Sequence, residues 1–415
     1  MSVVHDTATG RITPPEPDLT PEDLVSRARD LVPELIARQA ETEELTTYSV
    51  EIHKAFEKAG LYRTLIPRRY GGYEFDLRTF NEIVKILASG CPSVGWNFCL
   101  GAHHGTQVAA FWPESAQTAV FGDGDFVSSA AIMPSGTMRK VDGGWEVTAR
   151  YGFCSGSPYA THHIANATPV DDAGNPLGSP RPFIAPRSSW TMLDDWGGTL
   201  GLKGTGSNTI VFDRGFVPDD HVLDAGTLRF VDVTNGTPGY RLHGNPLYAG
   251  PVQAQSALDM GALLVGMALG AFDEYTATNR AKTTYFPPIM PRMESPEYQR
   301  WTGIARGRLR AAEAVVAQGA DLYMRACEDS ASGRRPFDRA TELDIVALGL
   351  EAWHMAWDVT QQVLFPTAGS TAAADGKRMQ RIWRDMSTAQ THALNTSLEN
   401  LMTELGRRTY GIATP

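Results

Sequence analysis

The sequence predicts an α+β fold in which a helical N-terminal domain, a middle β domain and a C-terminal helical bundle follow one another. Three observations predict it. Apolar residues recur at three- and four-residue spacing up to about residue 125, short β-prone runs broken by Gly, Pro and Asp fill 126–230, and long helical segments occupy 231–415. Most enzymes of this size alternate strands and helices, so a β region flanked by two helical ones is a distinctive order.

The first 18 residues, rich in Pro, Thr and acidic side chains, predict a flexible arm, and they lack the basic and apolar runs of a secretory signal. Thr20 and Pro21 supply an N-cap and a first-turn proline for a helix carrying Leu24, Ala28, Leu31 and Leu35 on one face. Further helices are expected over Ser49 to Lys58, Leu77 to Ser89 and Val94 to Phe111, completing an N-terminal domain at 19–125. The middle domain, 126–230, contains Trp145-Glu-Val-Thr-Ala, His163-Ile-Ala-Asn-Ala, Pro182-Phe-Ile-Ala and Thr209-Ile-Val-Phe, each reading as a strand. The bundle at 231–415 is expected to hold helices over Ala254 to Lys282, Pro296 to Glu328, Ala340 to Phe365 and Lys377 onward. Its most apolar run, Met260 to Phe272, is short of the roughly 20 residues that span a bilayer and reads as a buried helix.

A net charge of -10, from 37 Lys and Arg against 47 Asp and Glu, disfavours binding to nucleic acid, whose affinity comes from neutralising phosphates. Four scattered cysteines, Cys91, Cys99, Cys154 and Cys327, form no CxxC pair and fit reduced thiols in the cytoplasm. His162 and His163 have no neighbouring cluster of ligating side chains, so no metal site is expected. Nor does a Gly-x-Gly-x-x-Gly or P-loop signature occur, so the chain shows no nucleotide-cofactor motif of its own.

Four motifs recur in an informative order. They are Pro67-Arg-Arg-Tyr-Gly-Gly-Tyr-Glu74, Gly143-Gly-Trp through Phe153-Cys-Ser-Gly156, Gly201-Leu-Lys-Gly-Thr-Gly-Ser-Asn208 leading to Phe216-Val-Pro218, and Gln380-Arg-Ile-Trp-Arg-Asp385. Together they resemble the acyl-CoA dehydrogenase superfamily, and in particular its two-component flavin-dependent monooxygenases of the 4-hydroxyphenylacetate hydroxylase type. The resemblance runs from about Leu24 to Leu401. It implies an acyl-CoA dehydrogenase-like fold whose middle domain is β-barrel-like, and a homotetramer.

Where a dehydrogenase of that superfamily places the Glu that removes the substrate α-proton, this chain has Ala393, preceded by His392. A methyl group cannot act as a base. His392-Ala-Leu-Asn395 instead resembles the monooxygenase branch, in which a separate NAD(P)H-dependent reductase supplies reduced FMN or FAD. The oxygenase then reacts it with O2 to form a flavin C4a-hydroperoxide that hydroxylates a small phenolic or heteroaromatic substrate. N-hydroxylation of an amine or amino sugar on the same fold, and acyl-CoA dehydrogenation, stand as alternatives.

The resemblance assigns roles to residues. His392 and one of the pair His103 and His104, with His104 the nearer match, would activate substrate or stabilise the peroxide, since a neutral imidazole both donates and accepts. Ser155, beside Cys154, would meet the flavin near N5; the segment Ser128 to Pro134, with the Ser129 hydroxyl, would line its pyrimidine edge. Arg280 would reach flavin phosphate from a neighbouring subunit. Trp96, Trp196, Phe153 and Tyr151 are aromatic candidates for a substrate pocket, although aromatics in such domains are commonly core.

Overall fold

The computed structural model describes residues 4–6, 11–122 and 124–412. Strands β1 (Val4–Asp6) and β2 (Arg11–Thr13) form an antiparallel pair. Ile12 is buried and its N–H donates to the Arg69 carbonyl at 2.9 Å, so the arm predicted as flexible carries a strand docked beside Tyr70. Residues 1–3 and 7–10 of that arm lie outside the described residues.

Helix α1 (Pro21–Ala37) opens with the expected cap. The Thr20 hydroxyl accepts from the Asp23 N–H while Asp23 reaches back to the Thr20 N–H. After α2 (Gln39–Glu44), helices α3 (Val50–Ala59) and α4 (Leu77–Gly90) start at Ser49 and Asp76, each capping through its side-chain oxygen. Helix α5 (Pro92–Phe111) is buried on every face along nearly its whole length, and α6 (Glu114–Phe121) closes the N-terminal helices.

Seven strands form the middle region: β3 (Ser128–Ala130), β4 (Thr137–Val141), β5 (Gly144–Tyr151), β6 (His162–Val170), β7 (Arg181–Pro186), β8 (Thr191–Met192) and β9 (Ile210–Pro218). They make one sheet in the order β3-β6-β4-β5-β9-β8, with β7 on the other edge of β6. The pleat sorts side chains by alternation. Ala165, Ala167, Phe183 and Ala185 pack with Tyr151 and Phe212 inside the curled sheet, whereas Ile164 and Ile184 between them join the helical core.

The C-terminal helices are α7 (Pro238–His243), α8 (Val252–Ala281), α9 (Pro296–Ala331), α10 (Arg339–Val359), α11 (Phe365–Ala368), α12 (Arg378–Ala389) and α13 (Ala393–Thr409). The segment expected as one helix over 340–365 passes through a wider turn at Thr360–Leu364. The segment expected to run on from Lys377 is broken before α13, where His392 takes an extended conformation and caps the new helix. Helix α8, at 30 residues, is much longer than its apolar run alone implied, and by length and composition it could cross a membrane; 83% of its most apolar window is instead buried within the protein. Both α5 and α8 are apolar all round because they are enclosed by neighbours rather than lying on a surface.

Candidate functional site

Four segments distant in sequence meet at Ser155. Helix α5 contributes Trp96, whose indole N–H donates to the Ser155 Oγ at 3.0 Å. The β8–β9 connection contributes Ser207 and Thr205: the Ser155 and Ser207 hydroxyl oxygens lie 2.9 Å apart, and those of Ser207 and Thr205 2.7 Å apart. Thr205 then donates to the Leu202 carbonyl at 2.8 Å. The α12–α13 junction contributes His392, which meets the Trp96 ring edge-on at a centroid distance of 5.2 Å. Asn97, next along α5, donates from its amide to the Gly204 carbonyl at 3.1 Å, holding the same loop.

That loop is clamped from below by α12. The Asp385 carboxylate accepts the Leu202 N–H at 2.6 Å, and Arg384 donates to the Leu200 carbonyl at 2.7 Å. Arg384 and Arg381 in turn both pair with Glu43, at 2.7 and 3.0 Å. A Cβ at Gly201 would overlap the Arg384 carbonyl, so this close approach requires glycine. Two of the motifs singled out in the sequence, Gly201 to Asn208 and Gln380 to Asp385, are thus one contact in the fold. Burial, the largest influence on Asp385, raises its pKa to about 7 despite the two guanidinium groups nearby.

The histidines are distinguished by their partners. His104 is buried with its Nδ1 3.2 Å from the Ser128 carbonyl at the start of β3. A carbonyl only accepts, so Nδ1 carries the proton and Nε2 holds a lone pair. His103 faces the other way, its Nδ1 3.2 Å from Asp259 of α8. Of the pair, His104 therefore addresses the β domain and His103 the helical core. His392 has the opposite tautomer to His104: its Nδ1 accepts the Leu394 N–H at 3.3 Å, leaving the proton on Nε2. Burial, with the Arg229 charge second, pushes His392 down to about 4, and burial holds His104 well below the ordinary histidine value. Both rings are neutral at physiological pH.

Two family models match the chain: acyl-CoA dehydrogenase, N-terminal domain, over residues 20–117, and acyl-CoA dehydrogenase, C-terminal domain, over 258–397. The oxygenase subunit HsaA of a flavin-dependent monooxygenase from Rhodococcus jostii (strain RHA1) is 30% identical over 384 residues, covering 89% of this chain and 94% of the relative. This chain belongs to that family of flavin-dependent monooxygenases. The oxygenase component of p-hydroxyphenylacetate 3-hydroxylase from Acinetobacter baumannii is 24% identical over 402 residues, 95% of this chain and 91% of the relative. The crystal structure of the HsaA monooxygenase from M. tuberculosis superposes with a TM-score of 0.83 at 25% identity, covering 96% of this chain and 99% of that one. The chain is accordingly an enzyme with the fold the motifs implied, the oxygenase component of a flavin-dependent monooxygenase.

Within the monooxygenase, Ser155, His392 and Trp96 are brought together, and α5 joins them to His104, which lies eight residues, or about 12 Å of helix rise, beyond Trp96. Three other expected residues are placed differently. Ser129 turns its hydroxyl inward, 2.9 Å from His163 Nδ1, because the alternation along β3 sends that side chain into the sheet's core; only its backbone remains for a ligand. Cys154 is fully buried in the same core, its thiol donating to the Tyr151 carbonyl at 3.3 Å and pushed up to about 12 by burial, so it packs rather than binds. Arg280 is exposed in the last turn of α8, outside the Ser155 cluster, and makes no hydrogen bond or ion pair among the described residues.

Of the aromatic candidates, Tyr151 is core, while Phe153 is 76% exposed at φ +59° and sits edge-on to Trp196 at 5.6 Å. Thr205, Ser207 and Asn97 were not singled out in the sequence, although the first two stand in the quoted Gly201 to Asn208 motif. The surface hollows at Glu16 to Arg27 and at Lys54 to Asp125 contain none of these groups. Among the described residues, no group of His, Cys, Asp and Glu is arranged to hold a metal ion.

Proposed function

We propose that this oxygenase takes reduced FMN or FAD from a separate NAD(P)H-dependent reductase and, with O2, hydroxylates a ring carbon of a small phenolic or heteroaromatic substrate. The observation that carries the proposal is the pair of neutral histidines with opposite tautomers, His392 against the Trp96 ring beside Ser155 and His104 about two turns further along α5. The residues around Ser155 suit a flat ring system, with the exposed Phe153 ring as an apolar surface two residues from a hydroxyl. Reduced flavin, when bound, supplies the electrons that activate O2, one oxygen atom passing to the substrate and the other leaving as water.

The chain's own residues divide the remaining work. His104 Nε2, a lone pair, accepts the hydrogen bond of a phenol hydroxyl and so raises electron density on the ring. Its depressed basicity means that it polarises the hydroxyl without holding a full proton. His392 Nε2 donates a hydrogen bond to the reacting oxygen, and its neutrality keeps a net charge out of the site. Ser155 would hold the flavin at its N5 edge, and Trp96 and Phe153 would shield that edge from water. The exposed, unpartnered Arg280 supports phosphate binding across a homotetramer contact, and the four unpaired cysteines suit the cytoplasm.

The test is to add the enzyme to chemically reduced FMN or FADH2 under ¹⁸O2 with a panel of phenols, indoles and amines, and to locate the label by mass spectrometry. One ¹⁸O on an aromatic carbon is expected. Label on nitrogen would reassign the enzyme to amine hydroxylation, and oxygen consumption without labelled product from any substrate would overturn the proposal.

A further inference from the structure

The hydroxyl chain at Ser155 has a direction. Each hydroxyl carries one proton, and the two ends of the chain are fixed: the Trp96 indole N–H can only donate and the Leu202 carbonyl can only accept. Thr205 uses its proton on Leu202. The 2.7 Å contact between Thr205 and Ser207 must therefore hold the Ser207 proton, and the 2.9 Å contact between Ser207 and Ser155 the Ser155 proton. Protons run Trp96 to Ser155 to Ser207 to Thr205 to Leu202. Any reversal leaves two oxygens at hydrogen-bond distance with no proton between them, in a place where water cannot relieve the contact: Thr205, Ser207 and Ser155 are all buried.

Ser155 has then accepted one hydrogen bond and donated its only proton, so what it offers a ligand is an acceptor. We propose that this directed relay makes the site select the reduced flavin, whose N5 carries hydrogen, over the oxidised flavin, whose N5 is a lone pair. Ser155 would be the contact, and Trp96, Ser207 and Thr205 positioning residues that set its polarity. The inference rests on the placement of flavin N5 at Ser155 given above. It explains how a chain that depends on a partner for reduced flavin can retain that form and release the spent one, without a conformational switch.

The size of the preference follows from one buried hydroxyl contact left without its proton, on the order of tenfold in affinity. For a two-electron couple, tenfold corresponds to about 30 mV in the potential of the bound flavin.

The experiment measures dissociation constants for oxidised and reduced FMN and FAD, the reduced forms anaerobically, together with the midpoint potential of the bound flavin. It compares wild type with Thr205→Val, Ser207→Ala, Thr205→Ser and Ser155→Ala. Ser207→Ala removes the acceptor of the Ser155 proton and turns that proton to the ligand; Thr205→Val removes the acceptor of the Ser207 proton, so that Ser207 can donate back to Ser155 and the Ser155 proton is no longer held in one direction. The preference for reduced flavin should then shrink about tenfold in Ser207→Ala, with the potential falling by about 30 mV, and should shift in the same direction by a smaller amount in Thr205→Val, while Thr205→Ser retains the wild-type values.

A structural role for these hydroxyls would weaken both flavin forms together, leaving ratio and potential unmoved, and that result would overturn the relay. Ser155→Ala separates the two levels of the argument. If it changes the ratio while Thr205→Val and Ser207→Ala do not, the relay is wrong and the N5 placement stands. If Ser155→Ala also leaves the ratio unchanged, or wild type binds neither form, the placement itself fails and the relay with it.

Discussion

Asp385 offers a quantitative test of how the site loop is held. Its carboxyl is 1% exposed, accepts the Leu202 N–H, and titrates at about 7 in the fold against 3.8 for the ordinary side chain. The groups around it are Glu43, Arg384, Arg381 and Cys91. Because the folded protein binds this proton more tightly than the unfolded chain does, the group's stabilising contribution is full below pH 3.8 and is lost as pH rises through 7. Between pH 5 and 8 the loss integrates to about 2.5 kcal/mol. Asp385→Asn keeps an oxygen to accept from Leu202 but removes the ionisation. Urea denaturation of both proteins at several pH values should show the variant gaining about 2.5 kcal/mol on wild type from pH 5 to 8, because every other titrating group is common to the two and cancels. A difference constant with pH would refute the reasoning, since it would mean that Asp385 is not desolvated in the fold.

Three further outcomes follow from the site. Replacing His392 by Asn keeps an effective N-cap for α13 and removes the Nε2 donor, so folding should survive while hydroxylated product falls about a hundredfold and O2 is diverted to H2O2, read by product and peroxide assays. Gly201→Ala forces a side chain into the Arg384 carbonyl and should cost about 2 kcal/mol or more, with flavin affinity reduced in parallel, as measured by denaturation and by flavin titration. The hydroxylation rate should show no histidine limb between pH 6 and 8, since His392 titrates at about 4 and His104 also well below its ordinary range. A decline should begin only as pH approaches 4, whereas folding stability should already fall as pH drops from 6.5 toward 4, because the unfolded chain takes up those protons first.

Elements whose causes are local could be read from the sequence. The Thr20 and Ser49 caps lie next to the helices they start, and the period of the apolar residues locates α4 and α5 within a residue or two. The break between α12 and α13 was hidden because histidine is not a common cap and the surrounding residues suit a helix; it forms where Gln390 is held by Trp353 and Asn395. Ser155 and His392 were found by their place in motifs, but the facing of Ser129 depends on strand register, which is a property of β6 beside it. Thr205 and Ser207 stand among the glycines of the Gly201 to Asn208 motif, and their place in the site is visible only once Trp96 of α5 is brought against Ser155. Arg280 is the converse case: nothing in one chain explains it.

The position of His392 at the start of the last helix has a consequence for how the enzyme is made. Trp96, Ser155 and Ser207 leave the ribosome well before His392, and Asp385, which steadies their loop, precedes it by only seven residues. The serine cradle thus precedes α13 in order of synthesis, and His392, which we propose as the hydrogen-bond donor to the reacting oxygen, comes after it. On that proposal, the part that would direct oxygen to a substrate joins the fold after the parts that would hold the flavin.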